Sequence, residues 1–278
     1  GQSAYSNMPV ASSAEANGKQ VVRFATSPRM SSYLLHLTVG DLERISRKAA
    51  GVEIGIVTRK GAAEQGRVAL DAAAEILPWY NDYFGTSYPL PKLDMIAVPG
   101  TSQFFGAMEN WGAIMYFEQA LLMDPQISSE SDRLNIYDAV AHEMAHQWFG
   151  NLVTMEWWDD LWLNEGYATW MAEKAASTLR SQWNVPLLTV KWPREFALQS
   201  DASDATHPIV QHVASVEAAS QAFDAIAYNK GSAVIRMLEA SLGETGFRDG
   251  IRRYVRRYAY GNAVTDQLWS ELASATNR

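Results

Sequence analysis

The stretch AVAHEMAHQWFG, residues 139–150, places His142 and His146 four residues apart, with Glu143 directly after the first histidine. Residues at this spacing lie one turn apart on the same face of an α-helix, so two imidazoles can converge on one ion. A lone histidine on a helix is usually a satisfied structural residue. Two histidines with an adjacent glutamate are instead typical of a zinc site carried by a helix. The stretch therefore predicts a helix with two zinc ligands and a nearby carboxylate.

A third ligand is needed, because a catalytic zinc ion takes three protein ligands and leaves one position for water. Glu165, in WWDDLWLNEGYATW (157–170), follows His146 after eighteen intervening residues and falls within the next predicted helix. A hairpin of two helices would bring Glu165 to the histidine pair, among aromatic residues that would keep the site dry. Alternatively, Glu165 could be a solvated carboxylate at the start of its helix, where the helix dipole favours a negative charge. Asp159 or Asp160 could cap this helix or accept a hydrogen bond from a ligand imidazole.

Charge and composition limit the partners of the chain. The formal net charge is −8, and the only locally basic run is RRYVRR (252–257), whose arginines would spread around a solvated helix. Nucleic acids and anionic membranes require a basic patch, so neither is an expected partner. No apolar run approaches the ~20 residues of a membrane span. The absence of Cys excludes disulfides and thiolate ligands and leaves the compartment open, whether cytoplasmic, periplasmic or secreted.

The order of the predicted elements indicates an α+β fold. Residues 1–18 lack a sustained period, which predicts an irregular start. Strands are predicted at 21–26, 30–40, 52–59 and 88–100, with a strand-like segment containing a turn at 104–118. Helices are predicted at 66–84, with a potential kink at Pro78, and at 128–149, 160–179, 216–241, 244–260 and 265–275. The prolines 186, 193 and 208 mark a less regular zone. Strands therefore precede helices in a mixed body.

Five segments together resemble the aminopeptidase N family of zinc aminopeptidases, which are gluzincin peptidases. They are SNMPV (6–10), GAMENWG (106–112), HEMAHQWFGNLVT (142–154), LWLNEGYA (161–168) and YNKGSAVIRML (228–238). The resemblance implies a thermolysin-like catalytic domain at residues 48–278, with a mixed sheet followed by a mainly helical half. Residues 1–47 would be the C-terminal part of an all-β N-terminal domain. Because members of the family are larger, contacts with further N- and C-terminal domains are also implied.

The resemblance implies one Zn²⁺ per chain, held by His142, His146 and Glu165. Zinc lowers the pKa of a bound water towards ~7 and polarises a carbonyl, while Glu143 takes the proton of the water and later delivers one to the leaving amine. This chemistry predicts hydrolysis of a peptide bond. It leaves open which bond is cut.

Recognition of a free amino terminus requires a group that pairs with an ammonium, and a carboxylate is suited to this. By resemblance, Glu109 of GAMEN has this role, and peptides with a free N-terminus are the substrates. The segment would be an exposed strand edge along which the substrate lies antiparallel, paired with the main chain of Gly106 and Ala107. Met108 belongs to the same substrate-binding edge. Phe105 replaces a residue that is commonly small or Met in the family, and it would border the pocket for the first side chain.

The segment YNKG carries a further implied role. By resemblance, Tyr228 donates a hydrogen bond to the oxyanion that forms during the reaction, an interaction typically worth a few kcal/mol. Lys230 is expected to be a surface cation, and Gly231 is expected to allow a close approach of neighbouring backbone. His207 and His212 lack a ligand spacing and are expected to be satisfied or surface histidines. Likewise, Trp148, Trp157, Trp158 and Trp162 are expected to form core beneath the site.

Two other functions are compatible with these residues. A thermolysin-like endopeptidase would share the zinc chemistry but would have no use for Glu109. A non-catalytic peptide-binding relative, or a truncated domain that folds without turning over substrate, would retain the fold alone. The joint presence of both histidines, Glu143, Glu165 and Tyr228 favours an active enzyme.

Overall fold

The computed structural model describes residues 2–102, 105–124, 126–191, 193–204 and 206–277. Within these residues the chain forms two compact units. Unit 1 comprises Gly1–Pro78 and Tyr88–Gln147, and unit 2 comprises Trp79–Ser87 and Trp148–Arg278. Strands are concentrated in unit 1 and helices in unit 2. The predicted α+β class is therefore confirmed.

The strands are β1 (Ser3–Ser6), β2 (Val10–Ala16), β3 (Lys19–Phe24), β4 (Leu37–Gly40), β5 (Leu42–Ala49), β6 (Val52–Arg59), β7 (Lys92–Val98), β8 (Ala107–Met108), β9 (Ala113–Phe117), β10 (Val153–Met155) and β11 (Gly261–Ala263). The α-helices are α1 (Arg67–Phe84), α2 (Glu118–Leu121), α3 (Glu130–Ala145), α4 (Leu161–Leu179), α5 (Val185–Lys191), α6 (Pro193–Asp201), α7 (Val216–Ala219), α8 (Gly231–Leu242), α9 (Glu244–Tyr258) and α10 (Thr265–Thr276). Single 3₁₀ turns occupy Ser32–Leu34, Ala63–Gly66, Trp158–Asp160, Ser181–Trp183 and Ser220–Ala222, and a π-helix spans Ile226–Lys230.

The main sheet of unit 1 has five strands in the order β5-β6-β7-β9-β8. The three central strands β6, β7 and β9 are parallel, and both outer strands are antiparallel to their neighbours. Most residues of β6 and β7 are buried, as parallel strands covered on both faces require. The two-residue strand β8 is the last strand of the sheet. The segment GAMEN is thereby placed on a sheet edge, next to β9.

The prediction of an irregular start at residues 1–18 was wrong. Strand β1 pairs antiparallel with β4, and β2 and β3 form a hairpin. The hairpin loop is Asn17-Gly18, and both residues have positive φ angles, of 53° and 68°. This is the conformation that Asn-Gly favours in two-residue hairpins. The small polar residues of β2 are all exposed, so the segment lacks the alternation of a half-buried strand.

Two other strand predictions required correction. The predicted strand 30–40 is shortened to β4, with a 3₁₀ turn at Ser32–Leu34 before it. Strand β5 was not predicted, because its sequence LERISRKA is rich in charged residues. Its side chains also do not alternate clearly between buried and exposed positions. The predicted strand-like segment 104–118 begins at Phe104, and that residue lies outside the described residues.

Unit 2 is built around α4, which is buried along most of its length. An aromatic core supports it: the rings of Phe149 and Tyr167 are parallel, with centroids 3.6 Å apart, and Phe84 is stacked on Trp148 with centroids 4.8 Å apart. Trp148 and Trp162 are fully buried, so the core prediction is confirmed for them. It was wrong for Trp157, which is 43% exposed and donates through Nε1 to the oxygen of Val213.

The helical half also departs from its predicted boundaries. The predicted helix 216–241 is divided into α7, the π-helix and α8. The zone around Pro186 and Pro193 is more regular than predicted, because proline is tolerated in the first turn of a helix and both residues take such positions, in α5 and α6. Pro78 lies inside α1 and is the last residue of the first segment of unit 1.

Candidate active site

Helix α3 carries both histidines of the HEMAH sequence, and its start is fixed by a capping box. The Ser129 hydroxyl accepts a hydrogen bond from the Asp132 amide at 3.2 Å, and the Asp132 carboxylate accepts one from the Ser129 amide at 2.7 Å. The helix ends at Ala145, earlier than the predicted residue 149, and His146 is its C-cap. Both histidines and Glu143 therefore belong to the last turn and the end of one helix.

The two imidazoles face each other through their Nε2 atoms. These atoms are 3.1 Å apart, and the ring planes of His142 and His146 are inclined by 77°. Two nitrogens bound tetrahedrally to zinc, at about 2.0–2.1 Å each, would be roughly 3.3 Å apart. His146 is buried and His142 is half-buried. The donor atoms of the pair thus fit one zinc ion.

Two carboxylates of unit 1 lie beside this pair. Side-chain ligand atoms of Glu109, Glu143 and His146 all lie within 4.8 Å of one another. Both glutamates are buried, with 7% and 8% of their surfaces exposed. Two negative groups this close in a buried position favour a cation between them. Unit 1 alone therefore brings together four of the predicted site residues.

The sequence reasoning missed Gln147, which joins the two motifs of unit 1. Its Nε2 donates to the main-chain oxygens of Glu109 at 3.2 Å and Glu143 at 3.0 Å, and its Oε1 accepts from the amide of Gly112 at 3.4 Å. The side chain is fully buried. The available signal was its position four residues after Glu143, which puts it on the same helix face. A short polar side chain in that position can satisfy main-chain groups of a neighbouring segment.

The GAMENWG segment is held from its other side by Asn7 of SNMPV. The Asn7 amide donates to the oxygens of Leu34 at 2.8 Å and Trp111 at 2.9 Å, and its oxygen accepts from the amide of His36 at 3.0 Å. Gly112 has a φ of +77°, and a Cβ added there would lie 2.5 Å from the main-chain oxygen of Asn7. Glycine at this position therefore permits both the turn and the contact with SNMPV.

A buried charge network lies under the same turn. Lys92 donates through Nζ to the oxygen of Gly112 at 2.6 Å and pairs with Asp94 at 2.9 Å, and Arg44 pairs with Asp94 at 2.8 Å. Burial lowers the pKa of Lys92, and the Asp94 carboxylate opposes that shift. Gly55 leaves room for the network, because a Cβ there would lie 2.3 Å from Asp94 Oδ1. The network fixes the end of GAMENWG to the central strands.

The edge strand β8 exposes the predicted substrate-binding residues. Ala107 pairs with Tyr116 and Met108 with Met115 across β9, and both residues are half-buried. Gly106 is exposed, and its oxygen accepts from the Phe117 amide at 3.0 Å. The ring of Phe105 is 48% exposed, with its centroid 5.8 Å from that of Phe117. These residues lie along the last strand of the sheet or just before it.

In unit 2, Glu165 and Tyr228 lie on elements that pack closely together. Glu165 is 4% exposed, in the first turns of α4. At the adjacent Gly166, an added Cβ would lie 3.0 Å from the Ala227 oxygen and 2.9 Å from the Gly231 carbonyl carbon. The predicted role of Gly231 in close backbone approach is thereby confirmed. Helix α4 and the π-helix that carries Tyr228 touch through backbone.

Tyr228 is half-buried and borders a cleft of about 590 Å³ within unit 2. Phe196 and Phe223 line the same cleft. Lys230, at the end of the π-helix, pairs with Asp201 at 2.6 Å and is half-buried. The expected surface cation at Lys230 is thus 30% exposed and has an ion-pair partner.

The two aspartates before α4 have structural partners. Asp160 Oδ1 accepts from the Thr265 hydroxyl at 2.6 Å, and Asp159 Oδ1 accepts from the Val213 amide at 2.7 Å. Neither side chain caps α4. Burial raises the pKa of Asp160, and the hydrogen bond from Thr265 lowers it in part. Both residues fasten α4 to other parts of unit 2.

Comparison with known proteins places these features in a family. Residues 68–278 match the family described as the Peptidase family M1 domain, which is well over half of the chain. This chain belongs to peptidase family M1. Among the described residues of the chain, no helix combines the length and apolar character needed to traverse a bilayer.

Similar proteins of family M1 occur in archaea and plants. The chain is 45% identical over 273 residues to "Probable aminopeptidase 2" of Sulfurisphaera tokodaii, covering 98% of this chain and 35% of that protein. It is 43% identical over 268 residues to "Leucyl aminopeptidase" of Saccharolobus solfataricus, covering 96% of this chain and 34% of that protein. It is 41% identical over 277 residues to "Aminopeptidase M1" of Arabidopsis thaliana, covering 98% of this chain and 31% of that protein. The chain thus spans about a third of the length of these curated relatives.

Proposed function

We propose that this chain is the catalytic part of a zinc aminopeptidase that removes the N-terminal residue from peptides. Membership of family M1 and the names of its relatives support this reaction class. The observation that carries the proposal is the position of Glu109, whose carboxylate lies within 4.8 Å of ligand atoms of Glu143 and His146. An endopeptidase would have no use for a buried carboxylate at this point.

The proposed metal ligands are His142, His146 and Glu165. The facing imidazoles of the first two support a zinc ion at their Nε2 atoms. Glu165 is proposed from its spacing in the sequence, and its burial supports the role because a metal ion neutralises a buried carboxylate. When bound, zinc supplies Lewis-acid polarisation of a carbonyl and acidifies a water molecule.

Glu143 is the proposed general base. It is buried next to the ligand His142, and its carboxylate lies close to a ligand atom of His146. In that position it can take a proton from the attacking water and pass one to the leaving amine.

Glu109 is the proposed binding group for the substrate's amino terminus. A carboxylate pairs with an ammonium through charge-assisted hydrogen bonds, and burial strengthens such a pair. The peptide would extend along β8, pairing with the main chain of Gly106 and Ala107 beside Met108. The distance from Glu109 to the zinc ligands then restricts cleavage to the first peptide bond.

Tyr228 is the proposed hydrogen-bond donor to the oxyanion of the reacting carbonyl. Its place on a π-helix supports a functional role, since such distortions of a helix are frequent at functional sites. The close packing of this π-helix on the helix of Glu165 supports a shared site for the two residues. A donor of this kind typically contributes a few kcal/mol to stabilising the transition state.

Phe105 is proposed as a wall of the pocket for the substrate's first side chain. Its exposed ring at the start of the GAMEN segment supports that role. Kinetic ranking of Ala-, Leu-, Arg- and Phe-terminated anilides checks this assignment. Phe105→Ala should change the ranking, and an unchanged ranking would remove Phe105 from the pocket.

The domain assignment follows from the same family pattern. We propose residues 48–278 as the thermolysin-like catalytic domain and residues 1–47 as the end of an N-terminal β domain. Strands β1 to β4, which lie in residues 3–40, support the second assignment. Further domains of a longer protein are proposed partners of both parts.

The mechanism is tested by zinc content and activity measured together. The chain is compared with its Glu143→Ala variant and with Glu195→Ala, which changes an exposed glutamate of α6. We expect one zinc per chain in all three and hydrolysis of an aminoacyl-anilide by the parent and by Glu195→Ala only. Equal activity in Glu143→Ala would contradict its role as base. Zinc without activity in all three would favour a binding domain over an enzyme.

A further inference from the structure

The π-helix that carries Tyr228 is held at its start by Asp224, just before it in the chain, and at its end by Asp201, the last residue of α6. At its start, Asp224 Oδ1 accepts from the amides of Ile226 at 2.9 Å and Ala227 at 3.0 Å. At its end, Lys230 pairs with Asp201. Asp224 therefore caps the first turn of the helix on which Tyr228 lies.

The second oxygen of Asp224 is held by His207. Asp224 Oδ2 lies 2.7 Å from His207 Nε2, and His207 Nδ1 lies 2.7 Å from the oxygen of Pro208. A carbonyl and a carboxylate only accept hydrogen bonds, so both ring nitrogens must donate. The arrangement therefore favours the imidazolium form of His207. Both ring nitrogens have hydrogen-bond partners, so the expectation that it is a satisfied histidine is confirmed.

We propose that His207, in its charged form, is a positioning residue that sets the place of Tyr228 through Asp224. The inference rests on the proposed function, in which Tyr228 stabilises the oxyanion. Loss of the proton removes the ion pair with Asp224 and one of the two hydrogen bonds of the ring, because a neutral imidazole donates through only one nitrogen. The cap of the π-helix then loosens, and the Tyr228 hydroxyl moves away from the position where the oxyanion forms.

Charged groups around His207 determine the pH range of this effect. Burial lowers the pKa of His207, but the hydrogen bonds to Asp224 and Pro208 and the charge of Asp224 outweigh it, so that the pKa is raised. Lys230 acts against the raised pKa of His207, and the charge of His207 in turn contributes to lowering the pKa of Asp201. Because the folded pKa is raised, the pair is complete below the unfolded value of about 6.5 and is lost as pH rises through the folded value.

The test is an NMR titration of Tyr228, assigned through Tyr228→Phe, in the parent chain and in three variants. His207→Gln keeps a neutral donor, Asp224→Asn keeps an acceptor for the cap, and His212→Gln is a control at an exposed histidine. We expect Tyr228 resonances to shift with the midpoint of His207, above about 6.5, in the parent and in His212→Gln. The shift should be absent from His207→Gln and Asp224→Asn. A Tyr228 signal that is independent of His207, or a His207 midpoint below 6.5, would overturn the proposal.

Kinetics distinguish this inference from the proposed function. In an active chain, kcat of His207→Gln should fall roughly fivefold near pH 6.5, with KM little changed, and the alkaline decline due to His207 should disappear. An unchanged kcat profile would overturn the positioning role in an enzyme whose function stands. Coupled NMR shifts in a chain without peptidase activity would instead reject the proposed function and retain the link between His207 and Tyr228.

Discussion

The side-chain amide of Gln147 donates a 3.2 Å hydrogen bond to the main-chain oxygen of Glu109. The same nitrogen donates to the oxygen of Glu143 on α3. One buried side chain thus connects the proposed amine-binding segment with the proposed general base. In the proposed function, the distance between the amine-binding carboxylate and the general base would depend on this connection.

Gln147→Met tests the connection with a side chain of similar volume that cannot donate to these oxygens. We expect kcat/KM for free-amine substrates to fall by about ten- to a hundredfold, because two buried main-chain oxygens lose their donor at a cost of about 1–3 kcal/mol. Zinc content should be unchanged, since Gln147 is not a proposed ligand. Gln126→Met, at an exposed position, is the control. Parent-like kinetics in Gln147→Met would contradict the positioning role.

The charge network under GAMENWG predicts an effect on stability. Asp94 is 1% exposed and pairs with both Lys92 and Arg44. Asp94→Asn leaves the buried Lys92 without its counter-charge, whereas Arg44 keeps its pair with Glu53. We expect the free energy of unfolding to fall by about 3–5 kcal/mol in urea titrations. Asp71→Asn breaks an exposed pair with Arg47 and should cost less than about 1 kcal/mol. Equal losses in the two variants would show that burial of the network has no special effect.

Gly166→Ala tests the close contact between α4 and the π-helix. The new methyl group would lie 2.9–3.0 Å from backbone atoms of Gly231 and Ala227, which cannot move independently of their helices. We expect a loss of about 1–3 kcal/mol in unfolding free energy and a reduced kcat, because Tyr228 lies on the displaced helix. Thr169→Ala, on a half-buried face of α4, is the matched control. A fully active and stable Gly166→Ala would contradict the described contact.

The sequence predicted those features that depend on local patterns. The spacing of His142 and His146 predicted their shared helix face, and the long helices α1 and α4 were predicted nearly to the residue. The hairpin β2–β3 was missed because its Asn-Gly turn lies between strands of exposed small residues. The break in the helix before Tyr228 was also missed. Asp224, just before this break, is contacted by His207 seventeen residues away, and no local pattern indicates that contact.

The candidate site also contains residues that local sequence patterns did not identify. Glu109 and Glu143 were identified from motifs, but the side chain that joins their segments was not, because Gln147 acts through main-chain atoms of residues 35 and 38 positions away. Likewise, Asn7, just after β1, and Lys92, in β7, hold the GAMENWG turn from positions that are distant in sequence. Motif residues that contact substrate can be recognised by residue type. Residues that position them are recognised from tertiary contacts.

The central claim is that Glu109 selects substrates with a free amino terminus. The most direct measurement compares cleavage of one peptide with a free and an N-acetylated terminus, in the parent chain and in Glu109→Gln. We predict that the parent releases the first residue of the free peptide at least about 100-fold more efficiently, because a buried charge pair contributes about 2–5 kcal/mol. Glu109→Gln should lose most of this preference and retain zinc. Equal cleavage of both peptides by the parent would contradict the account and favour an endopeptidase.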